Sequence, residues 1–502
     1  MSAKVVFFVI FAKNFSMPDP TPNPENLKKK AADGLFWSGL GSVTQQVLNL
    51  MFGVFLARIL SEDDYGMANL LAVFIALSYL IQEGGFRVSL INRKNVTYDD
   101  YNSVFWTSFL VGLSLYIIFF FLMPLFSDFL HEPNLTALGR FQFLGVLFAS
   151  INTVPCAILT KNLQNKLIAK CTFMAVIVSG TLGVTLAYNG FAYWGIAAQS
   201  VCYVVVNMLC MWFYSGWRPS FKFSFKPVLE MLPFSIKLLI SNIFTSIGDN
   251  LFTFIIGKFY NKYQVGIYAQ GAKWTTLGQQ TIHTALEGVA QPVLVKAADK
   301  DKTLVFNKLM RFCVFVSLPC LMGFGFVAPE VIPLVIGDKW IPSVAVLQIL
   351  CIWSAFYSTF HLYNKQLLSC GQSGALMWIT IFRCVAQILT LFFTLRNGLE
   401  CIAIGYVSVN LLFLILIHFV TNRYISIPTL QVLKNIAPYL LSTVGSIAVA
   451  WWITGFMSNV YLIIVAKIAI TALLYFLSLH ICGSVILRES IVYVKNMLTH
   501  GK

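Results

Sequence analysis

The chain has 502 residues, 58% of them hydrophobic and only 11% charged, against roughly half-apolar, quarter-charged usage in water-soluble domains. Its mean hydropathy of +0.76 marks a membrane protein, and no polar stretch between the apolar runs is long enough to bury a core of its own, so no separate catalytic domain is expected. The formal charge of +15 sits in short loops beside those runs, where anionic headgroups and topology account for it, so nucleic acid is not an expected partner.

In chain order, "VVFFVIFA" at 5–12 is too short to span a bilayer and lacks a small-residue cleavage site, and the proline-rich "MPDPTPNPEN" after it reads as disordered. A translation start at Met17 explains both, with a short signal segment as the alternative. Apolar runs long enough to cross a hydrocarbon layer of roughly 30 Å follow at about 36–60, 67–91, 104–126, 138–159, 171–188, 194–215, 233–259, 264–292, 305–328, 341–363, 374–395, 400–421, 436–455 and 459–487. These fourteen runs predict an all-α integral membrane protein. The eighth, "VGIYAQGAKWTTLGQQTIHTALEGVAQPVL", is polar enough to escape a hydropathy window.

Lysines and arginines concentrate in alternate loops. About twenty, from Lys28–Lys30 through Arg93, Lys161, Arg218, Lys296 and Arg423 to Lys502, fall on one side, and about five, including Arg58, Lys258, Lys262, Lys339 and Arg396, on the other, which predicts both termini in the cytoplasm. A repeat overlies this pattern. "FLARILSEDDYGMANL" at 55–70 matches "IIGKFYNKYQVGIYAQ" at 255–270, so that Arg58 falls on Lys258, Gly66 on Gly266 and Asn49 on Asp249. The two stretches end the first and seventh helices, and six crossings return the chain in the same orientation, so the repeat is parallel and implies a cleft suited to alternating access. Each glycine is expected to permit a tight turn and each cation to snorkel to the outer headgroups, direct substrate contact being the alternative. The expected organisation is an N-terminus at 1–30, a six-helix lobe at 31–225, a second at 226–425, two extra helices at 426–487 and a cytoplasmic tail at 488–502.

The segment "LKKKAADGLFWSGLGSVTQQVLNLMFGVFLARILSEDDYGMANLLAVF", and "INRKNVTYDDYNSVFW" after the second helix, resemble the Wzx-type polysaccharide flippases of the multidrug/oligosaccharidyl-lipid/polysaccharide exporter superfamily. The resemblance covers most of 28 to about 490, and the "ARILSEDDYG" helix end is its strongest part. It implies twelve to fourteen helices in two lobes, residence in the bacterial inner membrane, and movement of undecaprenyl-diphosphate-linked oligosaccharides to the outer leaflet for O-antigen, capsule or exopolysaccharide assembly. The implied partners are the lipid-linked oligosaccharide, membrane lipids, and glycosyltransferases and a polymerase of the same pathway.

A charge at membrane depth costs on the order of 3 kcal/mol, so each one is a candidate functional group. Arg140, Lys237, Arg311 and Arg383 lie near predicted helix ends, where snorkelling to water competes with a role in the cleft. Glu83, Arg87, Asp249, Lys273 and Glu287 lie deeper. Arg87, Lys273, Arg140, Arg311 and Lys237 are the candidate cations for binding a sugar diphosphate by charge-assisted hydrogen bonds, and Asp249, Glu83 and Glu287 the candidate acids for exchanging a coupling ion. Glu83 and Arg87, spaced i, i+4, share a helix face and can neutralise one another. Thr275, Thr276, Gln279, Gln280 and Thr284 of the polar eighth helix can meet sugar hydroxyls or pack helices together.

No cofactor is expected, and with no GxxxxGK[ST] loop the energy must come from elsewhere. Outward movement of charge −2 is favoured by about 4.6 kcal/mol at 100 mV; the alternative is exchange of a proton or sodium ion at an intramembrane acid. Two rivals remain: an ion-coupled multidrug exporter of the same superfamily, against which stand the helix number and cationic excess, and a membrane polymerase or ligase. The second needs a sizeable outward loop, and the longest runs only from about 328 to 343. The six histidines are scattered without an HExxH motif, and the eleven cysteines have no CxxC pair, so no metal site or disulfide framework is expected.

Overall fold

Every one of the fourteen apolar runs is helical. The computed structural model describes residues 24–93, 96–221, 224–296, 302–425, 427–484 and 486–488, with backbone alone at 24–40, 42, 92, 226, 233–235, 237–238, 241, 284–296, 302 and 373. The expectations for the first 23 residues and for the tail beyond 488 lie outside these. Among the described residues no strand occurs, and eleven helical segments are long and apolar enough to cross a membrane. Their outward faces carry Phe121, Phe213, Phe393 and Ile481 at 72%, 75%, 81% and 76% exposure, side chains that lipid solvates and water does not.

The chain divides into two compact units, with the boundary between Ala269 and Gln270. The first holds α1 (Pro24–Ile59), α2 (Glu62–Asn69), α3 (Ala72–Glu83), α4 (Phe86–Asn92), α5 (Tyr98–Leu130), α6 (Leu135–Lys161), α7 (Asn165–Tyr188), α8 (Trp194–Ser215), α9 (Phe225–Phe259) and the start of α10 (Lys262–Lys296). Helices α7 and α8 pack closely because Gly183 and Gly195 face one another: a Cβ on either would stand 3.0 or 2.8 Å from the other's carbonyl oxygen. Helix α6 packs on both α5 and α8, and α1 lies on α7, where Phe52 covers the face of Gly180. At one end of the unit Phe86, Leu90, Phe105, Val154 and Trp217 close an apolar core.

The sequence predicts one continuous second helix over 67–91; the structure delivers it in three pieces, α2, α3 and α4. The second break has a plain cause. Gly84 and Gly85 both take left-handed backbone angles, φ 55° and 73°, which end α3 at Glu83 and restart the chain as α4 at Phe86.

The second unit holds the rest of α10 and α11 (Lys302–Ile336), α12 (Ile341–Ser369), α13 (Ser373–Thr394), α14 (Leu399–Asn422), α15 (Thr429–Thr454) and α16 (Val460–Ile481). Here α11 packs on α12 and α15, α12 on α14, and α15 on α16. Val314, Leu318, Ala355, Tyr439 and Tyr475 form the core where α11, α12, α15 and α16 meet, and the Tyr475 hydroxyl is satisfied by donating to the Phe315 carbonyl at 2.8 Å.

Candidate functional site: a polar cavity and amide- or acid-held cations

The helix break at Gly84–Gly85 leaves Glu83 on the last residue of α3 and Arg87 on the second of α4, yet their side chains still meet. Arg87 Nε stands 3.0 Å from Glu83 Oε1, with the two side chains 43% and 27% exposed. The pair forms part of the wall of a cavity of about 200 Å³ inside the first unit, together with Tyr79 and Gln82 of α3, Asn152, Thr153 and Cys156 of α6, and Tyr203 and Asn207 of α8. Thr153 donates to Gln82 Oε1 at 3.4 Å, and Arg87 Nη1 lies 3.8 Å from Cys156 Sγ. The side-chain oxygens of Asn152 and Asn207 are buried and accept no hydrogen bond. An acceptor left without a donor in such a wall costs about 1–3 kcal/mol, so these two oxygens mark a place for donors that the protein does not itself provide.

Arg383, which the sequence places near a helix end, is ten residues inside α13 and only 6% exposed, so snorkelling does not describe it. Its Nη1 donates to Asn410 Oδ1 at 3.4 Å, Gln387 Nε2 donates to the same oxygen at 3.2 Å, and the guanidinium lies 5.1 Å from the Phe360 ring centre. Its Nε has no partner. Arg311 is likewise well inside α11, donating from Nε to Asn435 Oδ1 at 2.6 Å, while Asn435 donates to Asn307 Oδ1 at 2.7 Å. Among the described residues no carboxylate pairs with either arginine.

The remaining predicted residues fall elsewhere. Arg140 donates to the Phe120 carbonyl at 3.1 Å and lies 4.1 Å above the Phe120 ring, away from the cavity wall. Asp249 is exposed ten residues before the end of α9, about 15 Å by helix rise. Lys273 is half-buried on α10. On the same helix Thr275 donates to the Gly271 carbonyl at 2.8 Å, Gln279 accepts from Ser354 Oγ at 2.8 Å as a helix-packing contact, and Thr276 and Gln280 are exposed. The side chains of Lys237, Thr284 and Glu287 lie outside the described residues. Charge counting also missed Lys467 on α16, which is 8% exposed at its side chain and bonds Glu330 of α11 at 2.6 Å.

The two repeat copies meet in space within the first unit. Gly66 and Gly266 do not turn the chain; each lies in the second turn of a helix, α2 or α10, and the two helices cross there. A Cβ on Gly66 would stand 1.8 Å from the Lys262 carbonyl oxygen, and one on Gly266 would stand 1.9 Å from that of Glu62. The N-caps match as well. Ser61 Oγ accepts from the Asp64 amide at 3.2 Å, and Asn261 Oδ1 accepts from the Gln264 amide at 2.9 Å. Lys258 donates to the Phe129 carbonyl at 2.6 Å, Lys262 pairs with Glu132 at 3.2 Å, and Arg58, the partner of Lys258 in the repeat, is exposed in the last turn of α1. Asn49, half-buried one helix upstream, matches Asp249.

A family model described as polysaccharide biosynthesis protein matches residues 55–345, which carry the crossing and the cavity. The chain belongs to the polysaccharide biosynthesis protein family. It is 25% identical over 335 residues to the lipopolysaccharide biosynthesis protein WzxC of Escherichia coli K12, covering 65% of this chain and 67% of that one. It is 23% identical over 405 residues to a membrane protein of a cps region in Klebsiella pneumoniae, covering 78% and 82%. The solved structure of the lipid II flippase MurJ in an inward closed conformation superposes with TM-score 0.74 over 90% of this chain and 99% of that one, at 14% identity, a likeness of fold.

Proposed function

We propose that this polysaccharide biosynthesis protein is a flippase that carries undecaprenyl-diphosphate-linked oligosaccharide units from the cytoplasmic to the outer leaflet of the bacterial inner membrane by alternating access, supplying O-antigen, capsule or exopolysaccharide assembly. The observation that carries the reading is a polar, ion-paired cavity of about 200 Å³ built inside a bundle of membrane-length helices, in a chain of this family. Lipid cannot solvate sugar hydroxyls or phosphates, so a translocase must line their route with polar groups and cations. Arg311 and Arg383, which pair with no carboxylate among the described residues, suit the diphosphate, with Lys273 as a further cation. Asp249, exposed ten residues before the end of α9, supports a water-filled side of that helix, because lipid would not accept an exposed carboxylate at that depth. Both termini lie in the cytoplasm in this reading, and glycosyltransferases and a polymerase of the pathway are its working partners. The membrane potential acting on a charge of −2, or exchange of a proton or sodium ion at Asp249, supplies the energy. The family description and the relative named for lipopolysaccharide biosynthesis favour this over a drug exporter, and over an enzyme that would alter the lipid it binds.

The test is reconstitution in liposomes with a labelled lipid-linked oligosaccharide in the inner leaflet. Protein-dependent appearance of the label outside, with the mass of the lipid unchanged, is the expected result. A lengthened sugar chain would make the protein a polymerase, and no movement would refute the translocase.

A further inference from the structure

We infer that the cavity between α3, α6 and α8 is a subsite for one uncharged pyranose ring of the cargo, and not a phosphate or ion site; this rests on the flippase reading above. Three observations separate the ligands. The first is charge. Arg87 is already committed to Glu83 at 3.0 Å, so the cavity wall is neutral overall, with an acid that repels phosphate and a guanidinium that repels a small cation. The second is the inventory of hydrogen-bonding groups. The wall holds the unfilled acceptors Asn152 Oδ1 and Asn207 Oδ1 and the Glu83 carboxylate beside the donor-rich Arg87 guanidinium. Phosphate brings only acceptors and a metal ion brings no acceptors, whereas every ring hydroxyl is both donor and acceptor and can satisfy the two classes together.

The third is size. A volume of about 200 Å³ equals roughly seven waters at ~30 Å³ each, far more than a bare cation fills and below the range of pockets that enclose drug-sized ligands. It suits a single sugar ring. Tyr79 and Tyr203, from α3 and α8, add aromatic surface for the ring's C–H faces. The Arg87 side chain, 43% exposed, borders the same cavity.

Cys156 in the same wall is a built-in reporter, half-buried and without a disulfide. The full-length protein in lipid nanodiscs is treated with N-ethylmaleimide, and alkylation at Cys156 is followed by peptide mass. The probes are methyl glycosides of glucose, galactose, mannose and N-acetylglucosamine, with pyrophosphate and sodium chloride alongside. At least one neutral glycoside is expected to protect Cys156, slowing its alkylation about threefold at twice its dissociation constant, in the millimolar range for so small a ligand. Asn152→Ala and Asn207→Ala should each weaken that protection, read in each variant as the ratio of its own alkylation rates with and without the glycoside. Protection by pyrophosphate or sodium in place of the glycosides, or by none of the probes, overturns the inference, and the wild-type result alone decides this if the variants fail to fold. Liposome flipping is measured in parallel. Flipping without glycoside protection removes only this subsite, whereas protection without flipping removes the translocase.

Discussion

The polar interior of the first unit and that of the second handle charge in opposite ways. Around the cavity, Arg87 is neutralised by Glu83 and the surplus groups are neutral amides. In the second unit Arg311 and Arg383 are held by Asn435, Asn410 and Gln387, which orient a guanidinium without cancelling it. An amide partner recovers part of the hydrogen bonding lost on burial but none of the charge, so the second unit retains a cost that burial of Lys467 avoids by pairing with Glu330. A cost kept at two positions on different helices is reasonable where an anionic headgroup periodically offsets it. In the function proposed above, the neutral cavity would offer shape and hydroxyl recognition, and the amide-held arginines charge.

The largest effects should come from breaking the scaffold beneath the first region. The Gly66→Ala substitution forces a methyl group to within 1.8 Å of the Lys262 carbonyl oxygen, where backbone rather than a pliable side chain must move. It should cost about 3 kcal/mol or more, read as a large fall in detergent-solubilised melting temperature or as lost expression. Gly323→Ala in α11 of the second unit meets no atom within 4 Å and should change stability by about 1 kcal/mol at most, in the stabilising direction. Equal effects at the two glycines would remove the reading of the repeat as a crossing point.

Next in size are the uncancelled arginines. Arg383→Gln and Arg311→Gln keep a donor for Asn410 or Asn435 but remove the charge. Losing a charge-assisted bond of about 1.5–3 kcal/mol to a phosphate should slow flipping roughly 10- to 100-fold. Stability should hold or rise, most at the buried Arg383, because a charge with no carboxylate partner among the described residues has been taken away. Loss of folding together with activity would mean that these arginines are structural and that the contrast between the units has no functional content.

The sequence exposes this contrast only in part, and the reasons are physical. Hydrophobic runs of membrane length have one stable backbone state in lipid, so the eleven described segments that are long and apolar enough to cross a membrane are legible as helices from length and composition alone. The break inside the second run is written as "EGG" at 83–85, but glycine in a membrane helix more often marks close packing than a stop, so the letters do not declare it. Searching for charges finds Glu83, Arg87, Arg311 and Arg383 and passes over Gln82, Asn152 and Asn207, which carry none yet also oppose burial in hydrocarbon; a search for mid-helix amides would have found the cavity wall. The repeat is legible to the residue, but its purpose is not. That Gly66 and Gly266 face one another is a fact of three dimensions, and the local pattern suggests a turn instead.

The smallest expected effect gives the finest test, because it asks whether the Glu83–Arg87 pair matters as a pair. With both side chains partly exposed, at 43% for Arg87 and 27% for Glu83, their coupling should be only about 0.5–1 kcal/mol. Glu83→Gln alone leaves an uncancelled guanidinium and makes the cavity resemble the second unit, while Arg87→Gln alone leaves a carboxylate that opposes the passage of phosphate. Each single variant should therefore slow flipping about two- to fivefold, the anionic one more steeply at low ionic strength where repulsion is least screened. The double variant, neutral again and still furnished with donors and acceptors, should recover most of the rate. If instead the two losses multiply, the pair acts as two independent contacts, and the neutrality of the first unit is incidental to how it treats the sugar.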